Sequence, residues 1–247
     1  MAAPPPYVLA EWLLEEASNR EFQPVQEVLQ IALSFRMRGN SPEENAEISE
    51  QTALPLIREL ENRVAIDRSD GVTPAFEISS EGKTAYFRII DAPEQPLLTK
   101  LKSMPPNEFE KFCANILTNL GATSYIIGGP NDKGVDFTAI NLQLGEKVKL
   151  APRTSRAIVI GQAKRYADQN ITECDMREFI GGAILQADNL RIANVYDAGL
   201  LSPISFAYWT TSDFHHLARK YARRMGIWYL NGIGLAQLAM RAGVEVK

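Results

Sequence analysis

Eight residues, Ala157-Ile158-Val159-Ile160-Gly161-Gln162-Ala163-Lys164, constrain this chain more than any others. The apolar run reads as a core strand, and its last residues break the pattern with an amide and a lysine. Alternate residues of a strand face the same side, so Gln162 and Lys164 share one face at the strand's end. Each must keep solvent or a polar partner, so neither is a packing choice. Upstream, Gly128-Gly129-Pro130-Asn131-Asp132-Lys133-Gly134-Val135-Asp136 is a glycine-rich turn that delivers Asp136 to the start of a neighbouring strand, where it can meet them.

Around this pair of segments the second half alternates helices and strands. Phe109, Phe112, Cys113, Ile116, Leu117 and Leu120 recur at helical spacing and stop at Gly121. Strands are expected at 123–128, 135–140, 157–164, 204–209 and 227–230. Helices are expected at 172–187, with Thr172 as cap, and from about Ser212 to Met225, with a short closing helix. The expected architecture is α/β, a mixed sheet flanked by helices.

The first half is patterned differently. Residues 7–18 and 24–37 each fit an amphipathic helix. Ser41-Pro42-Glu43-Glu44 marks a helix start, with Ser41 as cap, Pro42 in the first turn and Glu44 closing a capping box. That helix is expected to reach about Arg63 in one or two pieces. Residues 75–78 and 85–89 read as strands, or as a strand and a short helix. Three helices and such a unit make a small, mainly helical, winged-helix-like domain over 1–92. The polar, proline-containing stretch 91–98 holds a linker, placed at 93–97, and the α/β domain occupies 98–247.

Charge separates the halves. Residues 1–96 carry 8 Lys/Arg against 17 Asp/Glu, while residues 97–247 carry 18 against 13, within a chain whose net charge is −4. The second half can attract a polyanion. A winged helix normally reads duplex DNA, but this candidate recognition helix carries Glu47, Glu50, Glu59 and Glu61, which phosphates repel. Dimerisation or regulation, through a partner protein or ligand, is the favoured role for that domain over direct DNA binding. No apolar run approaches the roughly 20 residues of a membrane span, and the acidic N-terminus does not read as a secretion signal. Cys113 and Cys174 lack metal-type spacing and read as small buried hydrophobes in a reducing cytoplasm.

Asp136, Gln162 and Lys164 suit phosphodiester hydrolysis. Mg²⁺ prefers hard oxygen ligands, which the Asp136 carboxylate, the Gln162 side-chain carbonyl and the Ala163 backbone carbonyl can supply. Lys164 can orient water or stabilise transition-state charge. Arg165 is placed to touch a flanking phosphate. Arg219, Lys220 and Arg223, with Arg224, can form a basic strip along one side of a helix.

On these residues the chain resembles the Mrr-type restriction endonucleases of the PD-(D/E)xK superfamily over about 98–240. The resemblance is carried by Glu-Phe-Glu-Lys-Phe at 108–112, Gly-Val-Asp at 134–136 and Gln-Ala-Lys at 162–164. It continues through Trp209-Thr210-Thr211-Ser212-Asp213-Phe214, Ala218 and Ala222 to Tyr229-Leu230-Asn231-Gly232. It implies a restriction-endonuclease-like fold and a Mg²⁺-dependent DNA endonuclease, with Mn²⁺ able to substitute, acting in prokaryotic defence against foreign DNA. It also implies that Glu110 on the first helix assists the site. Val135 replaces the superfamily's proline. Gln162 replaces its acid, as is common in the Mrr-like branch, and removes one negative charge. That missing charge keeps open a catalytically inactive module that binds DNA or a partner protein. Cutting both strands calls for two sites, hence a homodimer. Asp132 reads as a turn residue, His215 and His216 as helix-start residues without a ligand cluster, and Gly181-Gly182 as a place of close helix packing.

Overall fold

The computed structural model describes residues 3–17, 21–72, 74–81, 84–90, 93–127, 134–143, 155–167, 169–192 and 202–245. The chain divides into two compact units, Met1–Pro93 and Glu94–Lys247.

The first unit runs α1 (Pro6–Glu16), β1 (Gln23–Pro24), α2 (Val25–Arg36), α3 (Pro42–Ser69), β2 (Phe76–Glu81) and β3 (Thr84–Ile89). The segments expected at 75–78 and 85–89 are two antiparallel strands, and β1, absent from the sequence reading, pairs on the other side of β3. Both halves of the capping box form. Ser41 Oγ accepts the Glu44 N–H at 3.2 Å, and Glu44 Oε2 accepts the Ser41 N–H at 2.7 Å. The helix then runs unbroken past Arg63 to Ser69 with Pro55 inside it. Pro55 and Gln51 are both exposed, so water can take the Gln51 carbonyl that the proline leaves unbonded. Leu9, Leu13, Leu29, Leu33, Leu56, Leu60 and Phe87 fill the core.

The second unit begins with α4 (Gln95–Ser103), so much of the stretch expected as linker is helical, with Pro96 in the first turn where a missing N–H is harmless. It continues with α5 (Pro106–Asn119), β4 (Thr123–Ile126), β5 (Phe137–Gln143), β6 (Arg156–Lys164), α6 (Glu173–Ile192), β7 (Ile204–Thr210), α7 (His216–Met225), β8 (Trp228–Leu230) and α8 (Gly232–Arg241). The sheet order is β4-β5-β6-β7-β8. The first two pairings are antiparallel and the last two parallel, which makes the sheet mixed.

One sheet face carries Ile140, Ile158, Ile160 and Tyr208 under Met176, Phe179 and Ala183 of α6 and Ala218 and Ala222 of α7. Residues of opposite parity, Phe137 and Trp209, pack together with ring centroids 5.3 Å apart. Gly161 is required here, because a Cβ would stand 2.1 Å from the Phe137 ring. Helix α5 packs on β4, β5 and β6, and α8 on β7 and β8. Helix α7 starts later than Ser212 because residues 213–215 are held extended. The Ile171 N–H donates to the Asp213 carbonyl at 2.8 Å, and the His215 N–H to the Ile171 carbonyl at 2.8 Å. Gly181 does not mark close packing: a Cβ there would meet nothing within 4 Å. Cys113 is buried as expected, but Cys174 is exposed on the first turn of α6.

Candidate active site

The β5–β6 ladder ends at the pair Phe137–Gly161. Just beyond it, the Asp136 N–H donates to the Gly161 carbonyl at 2.9 Å, and its carbonyl accepts the Ile127 N–H at 2.9 Å. These bonds fix the aspartate's backbone between β4 and β6. Its side chain is buried, and Oδ2 accepts the Ala163 N–H at 2.6 Å. A carboxylate is thereby held against the peptide that lies between Gln162 and Lys164.

Gln162 is buried as well, and a Cβ on Gly134 would stand 3.2 Å from its Nε2. Gly134 has φ +79°, a conformation that glycine adopts without the penalty of a side chain. A turn residue two positions before Asp136 therefore lies against the amide that shares the site. Among the described residues the Gln162 amide makes no hydrogen bond, and half-buried Lys164 makes no ion pair. The backbone at Lys164 is firmly set all the same. Its carbonyl accepts Thr210 Oγ1 at 2.8 Å and the Thr211 N–H at 3.3 Å.

Glu110 lies on α5, one turn before Cys113. The Cys113 thiol is pushed well above its ordinary range, first by complete burial, then by the negative charges of Asp136 and Glu110. Both carboxylates thus fall within electrostatic reach of one thiol, although they stand 26 positions apart in the chain. Asp132 and the rest of 128–133 lie outside the described residues. Among the described residues no group of three or more His, Cys, Asp or Glu side chains is arranged to hold a metal. The oxygen donors expected here are the Asp136 carboxylate, the Gln162 amide and the Ala163 backbone carbonyl.

Two expected phosphate contacts are otherwise engaged. Arg165 is half-buried; it donates from Nη1 to the Lys102 carbonyl at 3.1 Å, clamping the end of α4 to the end of β6. Arg219 turns to partners within the chain. Its guanidinium bonds the Asp213 carboxylate at 2.5 Å and the Phe214 carbonyl at 3.1 Å, bracing the extended stretch before α7. Lys220, Arg223 and Arg224 are exposed on α7. His215 caps α7, accepting the Leu217 N–H on Nδ1 at 3.4 Å.

Sequence reasoning missed three contributors. Thr211 Oγ1 donates to the Tyr166 carbonyl at 2.7 Å and accepts the Tyr166 N–H at 3.0 Å, closing the loop after β6 onto β7. Lys102 receives Arg165. Tyr208 stands next to Gln162 in the β6–β7 register. The Trp209-Thr210-Thr211 run signalled the first; the other two depend on pairings that no local pattern encodes.

Residues 101–193 match the model of the Mrr_cat family, described as a restriction endonuclease. No curated protein matches. Among solved structures, the MspJI restriction endonuclease in complex with a 27-mer oligonucleotide aligns at 17% identity and a TM-score of 0.39, over 60% of this chain and 31% of that one. The chain thus spans less than a third of that protein's length.

Proposed function

Starting from the restriction endonuclease domain at residues 101–193, we propose that this protein is a divalent-metal-dependent DNA endonuclease serving restriction of foreign DNA. One observation carries the reading: the buried Asp136 carboxylate accepts the Ala163 N–H at 2.6 Å, between an amide, Gln162, and a lysine, Lys164, whose side chains make no hydrogen bond or ion pair among the described residues. A buried carboxylate, a buried amide and a half-buried lysine are costly to a fold that gains nothing else from them.

The donor set fits Mg²⁺, with Mn²⁺ as substitute. It consists of hard oxygens, one of them charged, from Asp136, Gln162 and Ala163. When bound, such an ion polarises the scissile phosphate and makes water more acidic. Asp136 holds a buried carboxylate between β5 and β6. Among the described residues Lys164 pairs with no carboxylate, so its ammonium is available for water or for a phosphoryl oxygen gaining charge. Glu110 adds a second carboxylate from α5. Lys220, Arg223 and Arg224 supply a phosphate-tracking strip. The acidic N-terminal unit, read as winged-helix-like, serves dimerisation or regulation.

Plasmid nicking with Mg²⁺ or Mn²⁺ tests this reading on wild type, Asp136→Ala and Lys164→Ala. Cleavage by wild type alone is the expected result. Equal nicking by all three would remove the site. A second reading, a non-catalytic DNA-binding module, draws on Gln162 standing where an acid would add charge. It predicts retarded DNA migration with no cleavage by any of the three.

A further inference from the structure

Tyr208 is fully buried, yet its hydroxyl has no hydrogen-bond partner among the described residues. A phenylalanine would fill the same space and leave nothing unsatisfied. Its ring is clamped edge-on by Phe179 and Phe214, with centroids 5.4 and 5.9 Å away. The unmade bond is therefore not a matter of a loose side chain. In the parallel β6–β7 ladder Tyr208 is the register partner of Gln162, so the two side chains rise side by side from one face. Gln162 is likewise buried, and its amide makes no hydrogen bond among the described residues. Two neighbouring polar groups thus lie inside the protein with complementary capacities: one hydroxyl that can donate and one carbonyl that can accept.

An amide in a metal-binding position has a problem that a carboxylate lacks. Its two ends differ, and only the oxygen can face a cation. A donor beside the amide can choose the end. We propose that Tyr208 is a positioning residue for Gln162, its hydroxyl donating, directly or through one water, to the Gln162 side-chain oxygen and holding that oxygen toward the Asp136 carboxylate. The inference rests on the nuclease reading of the same site and extends it. The hydroxyl is suited to donation because it keeps its proton. Burial is the main cause, and the charges of Asp175, Tyr166, Asp136 and Glu178 reinforce it.

The test uses the full chain and Mn²⁺ alone, with free Mn²⁺ followed by electron paramagnetic resonance and thermal melting recorded in parallel. Tyr208→Phe is expected to weaken Mn²⁺ binding by about five- to tenfold, the effect of one lost hydrogen bond, while melting stays put or rises. In a Gln162→Glu background the carboxylate is symmetric and has no wrong end. There, Tyr208→Phe is expected to change Mn²⁺ binding by less than about twofold. Three results overturn the proposal: unchanged binding in Tyr208→Phe, equal weakening in both backgrounds, or a lower melting temperature that marks the hydroxyl as structural. A wild type that binds Mn²⁺ and cuts DNA while Tyr208→Phe is silent removes only this inference. A wild type that does neither removes the nuclease reading and this inference together.

Discussion

The two units treat buried polar groups in opposite ways. In the N-terminal unit Arg63 is nearly inaccessible, and every contact it makes is internal. Its guanidinium pairs with Glu11 at 3.0 Å and Glu59 at 3.1 Å and donates to the Tyr7 carbonyl at 3.1 Å. The charge is spent joining α1 to α3. In the C-terminal unit Lys164, Gln162 and Tyr208 are buried or half-buried and make no such bonds among the described residues. A fold optimised for stability alone would resemble the first unit throughout. The contrast is between a buried cation engaged by its own unit and a group of polar side chains held available beside a buried carboxylate.

The largest effect should come from Arg63→Met. It removes the cation that Glu11 of α1 and Glu59 of α3 share, and is expected to cost about 3–5 kcal/mol of stability, read by urea unfolding. If the variant melts like wild type, the internal pairing is not what joins those helices. Lys164→Met should show the reverse signature. DNA cleavage is expected to fall by about 10²–10³-fold, with melting unchanged or higher, since no ion pair is broken. A parallel loss of stability would place Lys164 in the scaffold and erase the contrast.

Gly161→Ala sits between the two classes. Its methyl must displace the Phe137 ring at the head of the ladder that positions Asp136, at about 1–3 kcal/mol. Cleavage is expected to drop further than melting explains; a stability loss without that excess would detach Phe137 from the site. Ser41→Ala should be the mildest. Loss of the cap is worth about 1 kcal/mol in calorimetry, with cleavage at permissive temperature untouched.

Several elements were legible because a local rule governs them. The Ser41 capping box needs only four consecutive residues, and the end of α5 at Gly121, with φ +93°, needs only a glycine. The Gln162–Lys164 pair stood out because polar residues interrupt an apolar strand. Asp136 could be named, but not the Ala163 N–H that donates to it, since that bond spans 27 positions. The internal partners of Arg219 and Arg165 were hidden for a similar reason. Helical periodicity put Arg219 on a basic strip, whereas the extended stretch at 213–215 supplied a closer carboxylate, Asp213. For Arg165, the acceptor is a carbonyl 63 positions away at the end of α4.

By itself the sequence determined the alternation of helices and strands in the second half, the separation of charge between the halves, and the residue types able to hold a hard cation. These follow from side-chain periodicity and chemistry, which act over a few residues. Only tertiary structure decided which strands are neighbours. That choice set Tyr208 beside Gln162, Gly134 against the same amide, and Glu110 and Asp136 around one thiol. The reason is that pairing register and helix packing are fixed by the whole core at once, and no short segment carries that information.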